Sequence, residues 1–353
     1  MGITQEFLAR LAIRHPIIQA PMAGVATPQL VAAVSNAGGL GSLALGASTA
    51  AQARQLIEET RALTTKPFGV NVFCHQPAIH DLARESAWVD YLAPLFSEVG
   101  IPFPQSLHEV YKSFNESDDV LQMLLELRPA VVSFHFGLPP TESIAALRQA
   151  GICTMATATN LREAQVIEAA GVDAVVAQGI EAGGHRGMFD LNAVDERLST
   201  ATLVKTLVNK IQLPIIATGG IMDGAGVKAA LNLGAVAAQL GTAFILCPES
   251  SADKAYRENL TSERAASTQL TAVLSGRPAR GIVNRLILFG EAADNIKPAA
   301  YPIAYDATKQ LNLAAAKLGS NEFAAHWAGQ GAHLAREMSA KELVQKLVDE
   351  MNA

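Results

Sequence analysis

Cysteine is scarce: Cys74, Cys153 and Cys247 are the only three in 353 residues. They are odd in number and far apart, which gives neither a disulfide framework nor the clustered spacing of a zinc site. They read as core thiols of a chain that works in the reducing cytosol. Charge is scarce as well, at 17% of residues, and the balance of 27 basic against 33 acidic side chains leaves a net charge of −6. No basic stripe stands out, so nucleic acid is not an expected partner. No apolar run approaches the roughly 20 residues that span a bilayer. The stretch Met1 to Glu6 lacks the basic region and apolar core of a signal peptide. Glu6 also stands where a myristoylation signal wants Ser or Thr. What the chain has in quantity is hydrophobic residues, 50% of the total. That suffices for one barrel-sized domain with an addition.

Short apolar runs alternate with helical patterns. Pro16–Ala20, Leu40–Leu45, Pro67–Phe73, Ala130–Phe134, Cys153–Thr157, Asp173–Ala177, Pro214–Ala217 and Ala235–Gln239 read as strands. Thr27-Pro28 offers an N-cap with proline at the first helical position. Asn160 offers another cap, and Ala50–Leu63, Thr200–Lys210 and Gly224–Leu233 read as helices. Strand–helix alternation means a parallel sheet, and eight repeats favour a closed (β/α)8 TIM barrel over an open sheet. Several strands are apolar throughout, which suits burial on both faces. The rhythm breaks between His75 and Arg128, and again after Cys247. The expected organisation is therefore a barrel of residues 1–74 and 129–247. Residues 75–128 and 248–353 are expected to form a mostly helical cap over its C-terminal mouth.

In such a barrel the ligand sits at the C-terminal strand ends. Those ends read Ala20-Pro21-Met22, Asn71, His135, Gln178 through His185, Gly219-Gly220, and Gln239-Leu240-Gly241-Thr242. The glycines after the seventh and eighth strands enter helices, where free N–H groups and the helix dipole suit an anion. Two such sets in the phosphate position point to a nucleotide-type cofactor, with a ring system near Met22, Asn71 and Gln178. The loop after the sixth strand, Gln178-Gly179-Ile180-Glu181-Ala182-Gly183-Gly184-His185-Arg186-Gly187, adds a group that can accept a proton, His185. Glu181 is expected to tie this loop down through an ion pair. Arg186 is expected either to do the same or to meet substrate. The remaining histidines, His15, His75, His80, His108, His326 and His333, lack ordered polar context and read as structural or exposed.

Pro21-Met22-Ala23-Gly24, Gly69-Val70-Asn71-Val72-Phe73, His135-Phe136-Gly137, the Gln178–Gly187 loop and Trp327-Ala328-Gly329-Gln330-Gly331 together resemble the class I nitronate monooxygenases, once called 2-nitropropane dioxygenases. The likeness runs nearly the whole chain. The glycine loops are shared with other flavin barrels, whereas the ordered set with the tryptophan motif is specific. The resemblance implies noncovalent FMN. It places Asn71, Gln178, Gly183, Gly220, Gln239, Leu240, Gly241 and Thr242 at the cofactor, and the strand ends add Ala20, Pro21, Met22 and Gly219. It makes His185 the catalytic residue and His135 a substrate-pocket residue. Tyr111, Tyr256, Tyr301, Tyr305 and Lys309 are the candidate substrate-binding tyrosines and lysine. All five tyrosines of the chain, Tyr91 included, fall in the expected cap, where each brings a hydrogen-bonding tip on an apolar body. Trp327 is expected to pack the tail onto the barrel, with Gly329 and Gln330 nearer the cofactor.

The implied reaction oxidises an alkyl nitronate, propionate 3-nitronate in particular, with O2 to a carbonyl compound and nitrite. His185 would hydrogen-bond or charge-pair with the nitronate, or act as base on a neutral nitroalkane. Lys309 would hold a substrate carboxylate. Two other functions share the phosphate loops: an NAD(P)H-dependent FMN enoyl-thioester reductase, and a flavin-binding protein without turnover. No metal is expected.

Overall fold

A computed structural model describes residues 2–116, 118–292 and 296–353. Its strands are β1 (Ile17–Gln19), β2 (Gly41–Ala44), β3 (Phe68–Phe73), β4 (Val131–His135), β5 (Cys153–Ala158), β6 (Ala174–Gln178), β7 (Gly184–His185), β8 (Ile215–Thr218), β9 (Ala237–Leu240), β10 (Thr268–Thr271) and β11 (Ala279–Ile282). Its α-helices are α1 (Ile3–Leu11), α2 (Pro28–Asn36), α3 (Ala50–Leu63), α4 (Leu82–Glu98), α5 (Asp118–Leu127), α6 (Thr141–Gln149), α7 (Leu161–Ala169), α8 (Thr200–Lys210), α9 (Gly224–Asn232), α10 (Lys254–Thr261), α11 (Arg285–Glu291), α12 (Ala304–Lys317) and α13 (Ala340–Asn352). Eight strands pair in parallel in the order β1-β9-β8-β6-β5-β4-β3-β2. The sheet closes on itself where Leu40 N–H donates to Ile17 O and Gln19 N–H donates to Leu40 O, just before β2. This is the expected eight-stranded parallel barrel.

The strands look uniformly apolar because both faces are covered, and period-two alternation decides which cover each residue meets. Val132, Phe134, Ala156, Val175, Ala177, Ile215, Ala217 and Ala238 point outward against the helices. Ile18, Val131, Met155, Ala174, Val176, Ile216 and Ala237 point inward, and Phe7 and Leu11 of α1 join them to close the N-terminal end. One or two residues further along each strand the inward side chains become polar. Asn71, Ser133, Thr157, Gln178, Thr218 and Gln239 ring the C-terminal end of the barrel, all facing one cavity.

The helix starts follow the caps in the sequence. Thr27 Oγ1 accepts from Leu30 N–H, and Asn160 accepts from Glu163 N–H. Thr49 and Gln52 form a reciprocal capping box at α3.

The two segments outside the alternation do not form one helical layer. Trp88, Leu92, Leu95 and Phe96 of α4 pack against Leu286 and Ile287 of α11, against Ile303 just before α12, and against Ala307 and Leu311 of α12. By contrast, Met123 and Leu124 of α5 belong to the barrel core, where α5 packs on α3 and α6. The terminal helix α13 likewise lies on the barrel, between α9 and α2. Its stripe Ala340, Leu343, Val344 and Leu347 has the i, i+3, i+4, i+7 spacing of one buried face. It covers the seam between the last strand and the first. Its fit is close: a Cβ on Gly224 of α9 would lie 2.2 Å from Leu347 O. The expectation that residues 75–128 and 248–353 all sit in a cap is corrected at these two helices. A stripe shows that a face is buried, not against what.

The tail is also less helical than expected. β10 pairs antiparallel with β11, and β11 pairs with β7, setting Ala279 opposite His185 and Arg280 opposite Gly184. No helix among the described residues is long and apolar enough to cross a membrane.

Candidate active site

The mouth of the barrel holds a cavity of about 530 Å³, within the usual range for a small-molecule site. Its floor is the polar ring. Its walls include Ala20, Pro21, Met22, Gly183, His185, Gly219, Gly220, Leu240, Gly241, Thr242, Trp327 and Gly329. His135, Tyr111, Tyr256, Tyr305 and Lys309 line it as well. The structure therefore brings together all twelve expected cofactor residues, His185 and five of the six expected substrate residues. Tyr301 is the exception. It lies in the wall behind the lining, with its ring 5.5 Å from that of His185 and 5.3 Å from that of Phe136.

One side of the cavity is backbone. Gly219 and Gly220, at the end of β8, have φ of +130° and +68°, a region that disfavours any side chain. A Cβ on Gly219 would also fall 2.6 Å from Thr200 Oγ1. The loop after β6 meets the tail equally closely, since a Cβ on Gly183 would fall 2.5 Å from Gly329 N. Thr242 Oγ1 accepts from Gly329 N–H at 3.0 Å, which joins the tail to the end of β9.

The Gln178–Gly187 loop is braced at each polar residue. Glu181 makes hydrogen bonds, not the expected ion pair: its carboxylate accepts from Thr200 N–H and Thr200 Oγ1 at the start of α8. There it satisfies one of the N–H groups that the helix leaves open. Arg186 is 1% exposed and does not meet the cavity. Its Nε and Nη2 form a fork on Asp195, and Nη1 donates to Gln178 O and Gly179 O. Gln178 is engaged at both ends, with Nε2 donating to His185 O and Oε1 accepting from Gly187 N–H. It shapes the loop as much as it faces the cavity. Among the described residues the Gln239 amide has no protein partner. Asn71 donates to Ser133, which leaves its Oδ1 open to the cavity.

Both site histidines are neutral. Burial, reinforced by the positive charge of Arg277, pushes His135 and His185 each down to about 3. His135 Nε2 lies 3.2 Å from His185 O, which can only accept, so this nitrogen carries the proton. Nδ1 then accepts from Thr157 Oγ1 at 3.0 Å. His185 presents its ring between Phe136, Tyr301 and Trp327, at centroid distances of 5.7, 5.5 and 5.2 Å. Trp327 thus lines the cavity beside His185 besides joining the tail to β11 through Gly281.

Lys309 provides the ammonium of the cavity wall. Its Nζ lies 4.9 Å from the Tyr305 ring centroid and 5.8 Å from that of Tyr111. Burial lowers its pKa from the ordinary 10.5, and Asp306 works against that shift. Tyr256 is less free than expected, because its hydroxyl donates to Trp327 O. Tyr91 stands apart from the site and donates to Phe289 O in the cap.

Several residues here were not marked in the sequence. Ser133, Thr157 and Thr218 are inward positions at strand ends, and period-two counting from Gln178 would have found them. Arg277 had a fainter signal, a Gly-Arg-Pro turn in a chain poor in charge. It is 2% exposed, and its Cζ lies 4.0 Å from the Phe136 centroid. It donates to Arg186 O and Met188 O, and burial lowers its pKa to about 10. Phe136 itself has φ of +74°, a strained value for a bulky residue. His75 is fully buried against Tyr301 and Tyr111, and neither of its ring nitrogens has a partner.

Comparison with known proteins agrees with this geometry. A family model described as nitronate monooxygenase matches residues 5–350. The nitronate monooxygenase of Pseudomonas aeruginosa is 56% identical over 350 residues, covering 99% of each chain. That of Paraburkholderia phytofirmans is 56% identical over 347 residues, covering 98% of this chain and 95% of the other. Among solved structures, the nitroalkane oxidase of Streptomyces ansochromogenes superposes with a TM-score of 0.88 at 42% identity, covering 98% of this chain and 97% of that one.

Proposed function

The chain belongs to the nitronate monooxygenase family of flavin-dependent oxidoreductases, and we propose that its cavity holds FMN and oxidises alkyl nitronates, propionate 3-nitronate in particular, with O2 to a carbonyl compound and nitrite. The observation that carries this reading is the pairing of a side-chain-free cradle with a polar ring in one cavity. Left-handed glycines at the end of β8 and the Gly241-Thr242 turn after β9 expose backbone where a phosphate binds in this fold. Asn71 Oδ1 and the Gln239 amide remain free for the polar edge of a flavin ring. FMN would supply the electron acceptor and the reactivity with O2.

The remaining tasks fall to this chain's own residues. An anionic nitronate is drawn by the Lys309 ammonium, which would also hold the carboxylate of propionate 3-nitronate. His185 contributes a neutral imidazole, so in place of the expected charge pair with the nitronate it serves to take a proton from a neutral nitroalkane. Phe136, Tyr111, Tyr305 and Trp327 fill the surroundings with aromatic surface and keep water from the reacting carbon. The three cysteines are free and buried, in keeping with a cytosolic setting for the reaction.

The test begins with the visible spectrum of the purified protein. A flavin spectrum, followed by matched oxygen uptake and nitrite release on adding propionate 3-nitronate, is the expected result. A colourless protein that FMN cannot reconstitute would overturn the cofactor assignment. Rapid anaerobic bleaching by NADH, without nitronate turnover, would favour the enoyl-thioester reductase. The full-length relatives at 56% identity speak against that alternative. A His185→Asn variant is expected to keep FMN and to lose turnover of a neutral nitroalkane by about 100-fold or more, the usual contribution of a positioned proton-transfer group. A wild-type rate would remove His185 from the reaction.

A further inference from the structure

We propose that Ser275 is a positioning residue that fixes the proton of His185 on Nε2 and so keeps Nδ1 as a hydrogen-bond acceptor toward the cavity. The proposal rests on the reading of this cavity as the nitronate site, and its first test does not.

Three atoms lie in line. His185 Nε2 is 2.9 Å from Ser275 Oγ, and Ser275 Oγ is 3.1 Å from Arg277 O. The carbonyl can only accept, and serine has one hydroxyl proton to give. If that proton went to His185 Nε2, two oxygens would face each other at 3.1 Å with no hydrogen between them. If it goes to Arg277 O, the serine oxygen is free to accept from His185 Nε2–H, and both contacts are hydrogen bonds. Arg277 N–H, 3.4 Å from the same oxygen, adds a second donor to it and none of the acceptors. Ser275 is 0% exposed, so water does not substitute for either partner. The turn that carries it is fixed by Gly276, whose φ is +84° and whose Cβ would meet Ala299 O at 2.3 Å.

The other ring nitrogen has no such partner. Among the described residues Nδ1 makes no protein hydrogen bond, and it is not among the atoms sealed from solvent. His185 lines the cavity, so this nitrogen opens onto it. With the proton held on Nε2, the cavity meets a lone pair. That atom accepts a proton from a neutral acid but cannot donate to the oxygen of a nitronate anion. An anion therefore turns its oxygens toward Lys309, or pulls the proton of His185 across against the Ser275–Arg277 arrangement. His135 shows a matched device, with its own proton on Nε2 held by His185 O. The two imidazoles are thus fixed from opposite sides of the loop.

Nitrogen NMR of the flavin-loaded protein with ¹⁵N-labelled histidine reads the tautomer directly, and the His185→Asn spectrum assigns its signals among the eight histidines. The expected result is a protonated Nε2 and a bare Nδ1. Protonation at Nδ1 in the wild type would overturn the proposal without any variant. Ser275→Ala is expected to shift the tautomer ratio toward Nδ1–H by roughly threefold to tenfold, the weight of one hydrogen bond. Ser275→Thr, which keeps the hydroxyl, is expected to restore it. In turnover, Ser275→Ala is expected to lower KM for a nitronate by a similar factor with little change in kcat, because a donor becomes available to the anion. A purely structural loss would raise KM or lower the melting temperature instead. An unchanged tautomer in Ser275→Ala, or a raised KM that threonine does not rescue, would overturn the role. If the wild type turns over no nitronate at all, the proposed substrate fails while the NMR result on Ser275 stands or falls by itself.

Discussion

The fork between Arg186 and Asp195 offers the most direct test of how the site is held. Arg186 is buried, whereas the Asp195 side chain is 14% exposed. Removing one partner of a buried pair costs about 3–5 kcal/mol, because the other charge is left uncompensated. Water reaches the Asp195 end, which places Asp195→Ala near the low end, at about 3 kcal/mol. Arg186→Met removes the charge but strips Gln178 O of its donor and leaves Gly179 O with only the N–H of Ala182. At about 1–3 kcal/mol for one unsatisfied buried group, with Gly179 O left one donor short and Asp195 without its partner, its cost is also about 3 kcal/mol. Once the guanidinium is gone, a partly hydrated Asp195 has little left to lose. The double variant is therefore expected to cost about 3–4 kcal/mol, well short of the roughly 6 of simple addition. The implied coupling is about 2–3 kcal/mol. Urea unfolding followed by tryptophan fluorescence suits the measurement, since Trp327 touches His185 while Trp88 reports the cap. Costs that add within about 0.5 kcal/mol, or an Asp195→Ala cost below about 1 kcal/mol, would refute the claim that this pair holds the end of β6.

Gly183→Ala is expected to lose flavin, because its methyl would press on the backbone of Ala328 and Gly329; equilibrium dialysis with FMN would show a weakening of tenfold or more, and unchanged affinity would mean the two loops need not touch. His75→Phe is expected to raise the melting temperature, since it replaces a buried ring with two unpartnered nitrogens by an apolar ring among aromatics; a lower melting temperature would point to a required polar contact. Stability is expected to fall as pH drops below about 6.5. Burial holds His135 and His185 near 3, and His75 and His326 near 4, all below the unfolded value of 6.5. The unfolded chain thus binds more protons between these limits. The stabilisation is complete above 6.5 and is lost toward 3, at up to about 1.4 kcal/mol per pH unit for each histidine. Melting curves from pH 8 to 5 check the sign, and a midpoint that rises on acidification would contradict it.

The barrel was legible because its evidence is local. Strand length, strand–helix alternation, and caps at Thr27 and Asn160 are written in neighbouring residues, and they placed eight strands within a residue or two. The strand ends were legible for the same reason: once the strands are placed, Asn71, Gln178, Gly220 and Gln239 must lie at one rim. The sequence also carried the ordered motifs that mark the family. What it did not carry was pairing between distant segments. That α13 covers the barrel seam, that β7 borrows a partner from β11, and that Arg186 is consumed by Asp195 depend on contacts between distant surfaces. Local pattern gives each of them a buried face or a charge but no address. The hydrogen-bond line from His185 through Ser275 to Arg277 O spans about ninety residues of chain, and only the folded cap brings its ends together. Proton placement at the site is thus a tertiary property: it follows from which acceptors the folded chain sets beside each ring nitrogen.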